Sequence, residues 1–208
     1  MRDEDFILSL TKDLEAKDPL VSSQKALLLW MLVTFAVLVS GLLMVKIRPD
    51  VNQMLETLSF NFELFSALSV GILAAGTALH LRIPGAKAPQ KVLGFAVSIW
   101  MASLLFHSYS MHVTEPFSLK LALHCMASIV GLSALPGLVL YLLIRRGATT
   151  EPKQTLAIVG VAMTAAAAAF LPLSCGNDTA LHLVIGHGGP AFIFGGLFWF
   201  IGPSLLRW

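Results

Sequence analysis

The chain reads as all-α, a polytopic membrane protein with six transmembrane helices. Three observations predict this. Six long apolar runs contain no Asp, Glu, Lys or Arg. The 208 residues are 56% hydrophobic and only 12% charged, with a mean hydropathy of +0.79. Soluble domains carry about 25% charged residues, so the deficit is twofold. The loops between the runs alternate between basic and nearly uncharged. At about 1.5 Å of rise per residue, about 20 residues cross a hydrocarbon core of about 30 Å. So short a chain cannot bury six such segments away from water. The runs are also too long and continuous for barrel strands, which leaves helices to satisfy the backbone in lipid.

The first element is a polar tail, residues 1–25, ahead of a transmembrane domain, residues 26–208. Phe6, Leu10 and Leu14 recur every four residues with Ile7 beside them, which predicts a short amphipathic helix ended by Pro19. Asp3, Glu4 and Asp5 suit its N-terminus. A helix of this length is marginal alone, so it needs a surface. The tail's six acids against four bases disfavour anionic lipid, which points to a helix-in-groove partner or to the bundle itself. Mixed charge followed by a full-length span does not read as a cleavable signal peptide.

The six runs are Ala26–Val45, Leu64–Leu81, Val92–Tyr109, Leu121–Ile144, Thr155–Leu173 and Leu183–Leu206. Pro136 sits inside the fourth and predicts a kink near Leu132. The fifth carries Gly160, Thr164 and Ala168 at small-xxx-small spacing, and the sixth carries Gly195, Gly196 and Gly202. Both patterns read as close helix packing. Pro84-Gly85, Gly147 and Pro152 punctuate the turns after the second and fourth runs.

Lysine and arginine set the orientation. The N-terminal tail holds four, the second and fourth loops three each and the C-terminus one, whereas the first, third and fifth loops hold two, one and none. Eleven against three places both termini in the cytoplasm by the positive-inside rule. The net charge of +2 gives no footprint for nucleic acid.

That orientation puts Cys125, Cys175, His107, His112, His124, His182 and His187 toward the outer face and His80 toward the cytoplasm. Cys125 lies 20 residues before Arg145 and Cys175 lies 22 after Lys153. Those paths climb about 30 and 33 Å, so the two sulfurs reach nearly one height on neighbouring helices. A disulfide there requires Cα atoms within about 7 Å. Thiolate with imidazole also suits soft metals, with His124, His182 and His187 as auxiliary ligands, although the spacings match no standing structural metal motif. Packing cysteines and interfacial histidines are the plain alternative. Glu63, just ahead of the second run, reads as hydrated at the outer interface.

Catalysis has little support, because C-x-x-C, H-E-x-x-H, G-x-S-x-G and phosphate-loop motifs are absent. No cofactor is expected and the chain does not read as an enzyme. The rival is a membrane redox enzyme, or a carrier of a metal or small molecule, that uses the outer histidines.

The chain resembles the NrsF family, negative regulators of sigma-F that are six-helix inner-membrane anti-sigma factors. The resemblance runs through Phe6-Ile-Leu-Ser-Leu-Thr-Lys-Asp-Leu, Arg48-Pro-Asp, Pro84-Gly85, Leu123-His-Cys125, Arg145-Arg-Gly-Ala with Pro152 following, Cys175, and Gly202-Pro-Ser-Leu-Leu-Arg-Trp208. It implies that the protein holds an extracytoplasmic-function sigma factor at the membrane and releases it on oxidative or heavy-metal stress, with Cys125 and Cys175 involved. The tail stripe of Phe6, Ile7, Leu10 and Leu14 would hold the factor, helped by the loops Arg82–Lys91 and Arg145–Lys153. The expected partners are therefore that sigma factor and the lipid bilayer.

The charge bias is testable directly. A periplasm-active reporter fused after Glu115 or Asn177 should be active, and one fused after Ala88 or Ala148 inactive. The reverse pattern at two of these sites would invert the orientation.

Overall fold

The computed structural model describes residues 20–111 and 116–206. The tail stripe Phe6, Ile7, Leu10 and Leu14, along with His112 and Trp208, lies outside the described residues. Helix α1 (Ser23–Met44) is followed by a short α2 (Val51–Leu55), α3 (Leu58–Leu81), α4 (Gln90–Met111) and α5 (Leu119–Arg145). Then come α6 (Pro152–Ala168), a 3-10 turn (Leu171–Leu173), a single turn α7 (Ala180–His182), a π turn (Leu183–Gly188) and α8 (Gly189–Leu205). Six helical segments are long and apolar enough to cross a membrane, the fifth as Pro152–Leu173 and the sixth as Ala180–Leu205. The sixth begins three residues ahead of its apolar run, and α2 adds a helix that the apolar runs do not announce.

Local chemistry sets several of these ends. Ser22 Oγ accepts from the Lys25 amide and Ser118 Oγ from the Leu121 amide, each satisfying a donor in a first helical turn. Pro152 opens α6 where its missing N–H costs no helix bond. Gly85 turns the chain after α3 at φ +78°, a conformation that disfavours side chains.

Helix α6 forms the centre. It packs most extensively against α8 and α3, and also against α5. Its buried residues run almost without interruption from Leu156 to Ala168, most of them alanine, glycine or threonine. Small side chains are what such a position requires, because helices in lipid associate through close backbone approach. A Cβ on Gly160 would lie 2.6 Å from the Phe194 carbonyl oxygen, and one on Gly71 3.0 Å from the Ala166 backbone nitrogen. Gly195 also faces α6, but a Cβ on Gly196 would meet nothing within 4 Å among the described residues.

Peripheral helices show narrower buried stripes. On α1 only Ala26, Trp30, Thr34 and Leu38 are buried, at a spacing of four, while Leu32, Phe35 and Leu43 point outward. That is the pattern of a helix between protein and hydrocarbon. The Trp30 indole donates to the Pro136 carbonyl at 3.0 Å, tying α1 to α5 where proline interrupts the helix ladder. Helix α5 nevertheless continues through Pro136 from Leu119 to Arg145.

Six spans bring both described chain ends to one end of the bundle, here called the basic end. Ser23 Oγ donates to the Leu79 carbonyl at 3.3 Å. The Arg82 guanidinium donates to the Val21 and Leu143 carbonyls, and the Arg82 carbonyl accepts from the Ala148 amide. Arg82, at the start of the loop Arg82–Lys91, is only 2% exposed, and its guanidinium faces inward to carbonyls. Burial lowers its pKa. Lys87, Lys91, Arg145, Arg146 and Lys153 remain exposed.

The close approach of α6 to α8 makes Gly160 intolerant of bulk. Gly160→Val should destabilise the bundle by about 1–3 kcal/mol through overpacking, and Gly196→Val should be near neutral. Thermal unfolding of both in detergent checks this, and equal melting temperatures would reject the packing account.

Candidate functional site

The end opposite the basic loops carries the chemistry. Cys125 lies one and a half turns into α5, and Cys175 lies in the loop after the 3-10 turn. Both are buried, and the Cys125 thiol donates to the Cys175 sulfur at 3.4 Å. The sulfurs are thus in non-bonded contact as free thiols. The hydrogen bond from Cys125 is the main cause that holds the Cys175 thiol well below its ordinary range. Burial opposes that shift, and His182 and His187 reinforce it.

The two histidines arrive through an irregularity in the sixth span. Five residues along an α-helix turn the side chain by about 140° away from its starting direction. In the π turn the backbone instead bonds from i to i+5, which brings residues five apart to the same side. His182 and His187 are accordingly stacked edge to face, with ring centroids 5.5 Å apart. Pro190 follows immediately and cannot supply the amide that an α-helix would give to residue 186. Gly186 lets the turn lie against α5: a Cβ there would be 3.3 Å from the Ala122 carbonyl oxygen and 3.5 Å from Cys125 Cβ.

His182 Nε2 lies 3.2 Å from Cys175 Sγ. One donor atom from each of Cys125, Cys175, His182 and His187 falls within 4.8 Å of every other, and all four residues are buried. His187 Nδ1 is 3.2 Å from Glu63 Oε1. Nδ1 is thus the ring nitrogen engaged by the carboxyl group, and Nε2 has no hydrogen-bond partner among the described residues.

Glu63 starts a chain of polar groups away from the sulfurs. Its second oxygen stands 4.0 Å from His107 Nε2, which faces Asp178 Oδ1 at 3.4 Å, while His107 Nδ1 contacts Ser59 Oγ at 3.2 Å. Arg48 closes the chain. Its guanidinium donates to Asp178 through two nitrogens at 3.1 and 2.9 Å, to Asp50 at 2.7 and 2.9 Å, and to the Cys175 carbonyl at 3.0 Å. Burial alone would raise the Asp178 carboxyl, but His107 and Arg48 carry it down to about 2. Burial would likewise lower Arg48, yet the hydrogen bonds of Asp50 and Asp178 raise it, so it stays cationic.

These positions correct one expectation. Glu63 is not a hydrated interfacial acid; it is 2% exposed, one turn inside α3 and packed against α4 and the π turn. Of the residues singled out as sensing or auxiliary, Cys125, Cys175, His182 and His187 come together. His124 is exposed on α5, outside the cluster. It lines a cavity of about 520 Å³ that also reaches Leu38, Gly41, Cys125 and Cys175. His80 lies exposed near the basic end. Sequence reading missed the roles of Glu63, His107, Asp178 and Arg48. The available signal was that four ionisable residues fall at the same end of different spans, where a low dielectric forces partners on them.

The family model NrsF, negative regulator of sigma F, matches residues 10–208. The chain belongs to the NrsF family. It is therefore a negative regulator of a sigma factor, and a sigma factor is its partner. Neither a curated protein nor a solved structure matches it.

In this NrsF chain the Arg48–Asp178 pair, buried on both sides, should matter more than the Arg48–Asp50 pair. Asp178→Asn leaves a buried guanidinium short of one partner and should cost about 3–5 kcal/mol. Asp50 is 38% exposed by side chain, so Asp50→Asn should cost about 0–1 kcal/mol. Thermal unfolding of the two variants provides the comparison, and equal losses would refute the ranking.

Proposed function

We propose that this chain is an inner-membrane anti-sigma factor. It sequesters an extracytoplasmic-function sigma factor and releases it when oxidative or heavy-metal stress reaches Cys125 and Cys175. The observation that carries this reading is the pair of buried sulfurs at 3.4 Å, one of them held toward thiolate. In this reading both termini are cytoplasmic, consistent with the charge bias of the loops, so the cysteine end faces the oxidising compartment.

The chemistry is a two-electron oxidation. The Cys175 thiolate attacks a peroxide, taking one oxygen as a sulfenic acid and releasing hydroxide. The Cys125 thiol then displaces that oxygen as water and the S–S bond forms. Bond formation must draw the sulfurs together by about 1.4 Å, to the usual disulfide length of about 2.05 Å. The movement falls on α5 and on the loop that Arg48 holds. To change occupancy from 99:1 to 1:99, coupling to the opposite end must reach about 5.5 kcal/mol.

On the cytoplasmic side, the stripe Phe6, Ile7, Leu10 and Leu14 supplies the helix that engages the factor. The exposed cations Lys87, Lys91, Arg145, Arg146 and Lys153, in the loops at the basic end, help to hold the same factor. The carrier alternative is weaker because the ionisable chain from Glu63 to Arg48 runs within one end of the bundle and does not link the two ends.

The decisive experiment is release in cells. Cys125→Ser and Cys175→Ser should each keep repression without stress and lose induction by peroxide, as badly as the double variant. Leu10→Asp with Leu14→Asp should abolish repression with normal membrane levels, since each lost contact removes about 1.5–3 kcal/mol if fully buried. Full induction of the double cysteine variant would defeat the sensing reading, and intact repression by the tail variant would defeat the tail as the docking element.

A further inference from the structure

The sulfur pair is only half of what converges at this end. Oxidation of two cysteines needs no imidazole, yet His182 and His187 are 0% and 1% exposed beside the sulfurs. Each ring is partnered at one nitrogen only, His182 by Cys175 and His187 by Glu63, and among the described residues His187 Nε2 and His182 Nδ1 have no hydrogen-bond partner, which is unfavourable in a buried position. The regular helix is given up to place them there, since only the π turn brings residues five apart to one side.

The donor geometry is close to that of an ion site. Zinc binds thiolate at about 2.3 Å and imidazole at about 2.0–2.1 Å, so donors on a tetrahedron lie about 3.3–3.8 Å apart. The two sulfurs are 3.4 Å apart, and Cys175 Sγ and His182 Nε2 are 3.2 Å apart. Glu63 stands to His187 as an outer-shell carboxylate would: its Oε1 faces Nδ1 at 3.2 Å, which leaves Nε2 to serve as the ligand.

We propose that Cys125, Cys175, His182 and His187 form a buried tetrahedral site for a thiophilic divalent d10 cation, Zn²⁺ or Cd²⁺, with Glu63 as the positioning residue for His187. Two thiolates and two neutral imidazoles make the complex with a divalent ion neutral, whereas a monovalent ion would leave a net negative charge at a buried position. The cavity rimmed by His124 supplies the approach, reaching both cysteines from the side of α1 and α5. Binding displaces protons from the thiols and ties α5, the Cys175 loop and the sixth span together at one point. This deepens the proposed sensing reading and rests on it for the consequence of occupancy, not for the existence of the site.

The test uses the full chain, purified in detergent, reduced and stripped with a chelator, then titrated with Co²⁺ as the spectroscopic probe. One equivalent should give a thiolate-to-cobalt charge-transfer band and the strong visible bands of tetrahedral cobalt. Zn²⁺ and Cd²⁺ should each displace it, and their relative affinities decide between the two ions. Cys125→Ser and Cys175→Ser should each lose about half the charge-transfer intensity and weaken Zn²⁺ by more than tenfold. His182→Gln and His187→Gln should keep that band, lose the tetrahedral signature and weaken Zn²⁺ by at least tenfold. Glu63→Gln should keep the spectrum and weaken Zn²⁺ about 10–100-fold. His124→Ala should leave the affinity unchanged. Far-ultraviolet circular dichroism and thiol titration establish that each variant is folded and reduced.

No stoichiometric cobalt in folded, reduced protein, or histidine variants that bind as wild type does, would overturn the site. Either result, combined with peroxide release that still needs both cysteines, overturns the metal site while the sensing reading stands. The tetrahedral spectrum, in a protein whose double cysteine variant responds fully to stress, upholds the site and defeats the sensing reading.

Discussion

The arrangement at the cysteine end depends on one guanidinium. Arg48 lies in the short connection between α1 and α2, far along the chain from the loop it holds. It binds that loop twice, through the Asp178 carboxylate and the Cys175 carbonyl, and its amide bonds to the Leu173 carbonyl. Without these bonds the segment between the 3-10 turn and α7 would have little helical structure to fix it. With them, Cys175 is held over α5 at contact distance from Cys125. A charged pair taken out of water is expensive, and its stabilising value is often small compared with its value for specifying one geometry. Here the geometry it specifies is the position of a sulfur.

The remaining ionisable groups fit that frame. Glu63, buried among helices, has imidazoles on two sides, His187 at 3.2 Å and His107 at 4.0 Å, the second beyond hydrogen-bond distance. His107 hands the chain of contacts on to Asp178 and so back to Arg48. Residues from α1's connection, α3, α4 and the sixth span therefore meet in one network. The centre of the bundle has a different character, with α6 holding α3 and α8 by small side chains and dispersion forces. One end is specified by directional bonds and the middle by close fit.

Much of the architecture could be read without coordinates. Charge-free runs mark where backbone must satisfy itself in lipid, so the six spans follow from length and hydropathy. Small residues at Gly160, Thr164 and Ala168 mark the helix with the most neighbours. The shared height of Cys125 and Cys175 follows from counting residues along an antiparallel hairpin. Other features were opaque for physical reasons. Glu63 sits where a linear view places water, and only the packing of α4 and the π turn over it reveals the burial. A spacing of five between His182 and His187 means divergence in a regular helix, and the signal that helix geometry fails there is a run of glycines before Pro190. Arg82 resembles its neighbouring surface cations in sequence but turns inward to carbonyls at the chain reversal.

The π turn also has a consequence for how the sixth span is phased. It accommodates an extra residue relative to an α-helix, so everything from Gly189 onward is rotated by about 100° from where an uninterrupted helix would put it. The stripe of residues that meets α6 in the second half of this span is therefore out of register with the stripe that carries the histidines. Shortening the segment 183–188 by one residue would convert a bulge into ordinary helix and set these two halves against each other. Either the imidazoles keep their place and α8 loses its seat on α6, or α8 stays and the imidazoles separate. The pairing of the imidazoles and the helix packing cannot both survive that deletion, which makes the span a mechanical link between the cysteine end and the middle of the bundle. Melting temperature and cobalt spectrum of the same deletion variant would show which half yields, and retention of both would disprove the linkage.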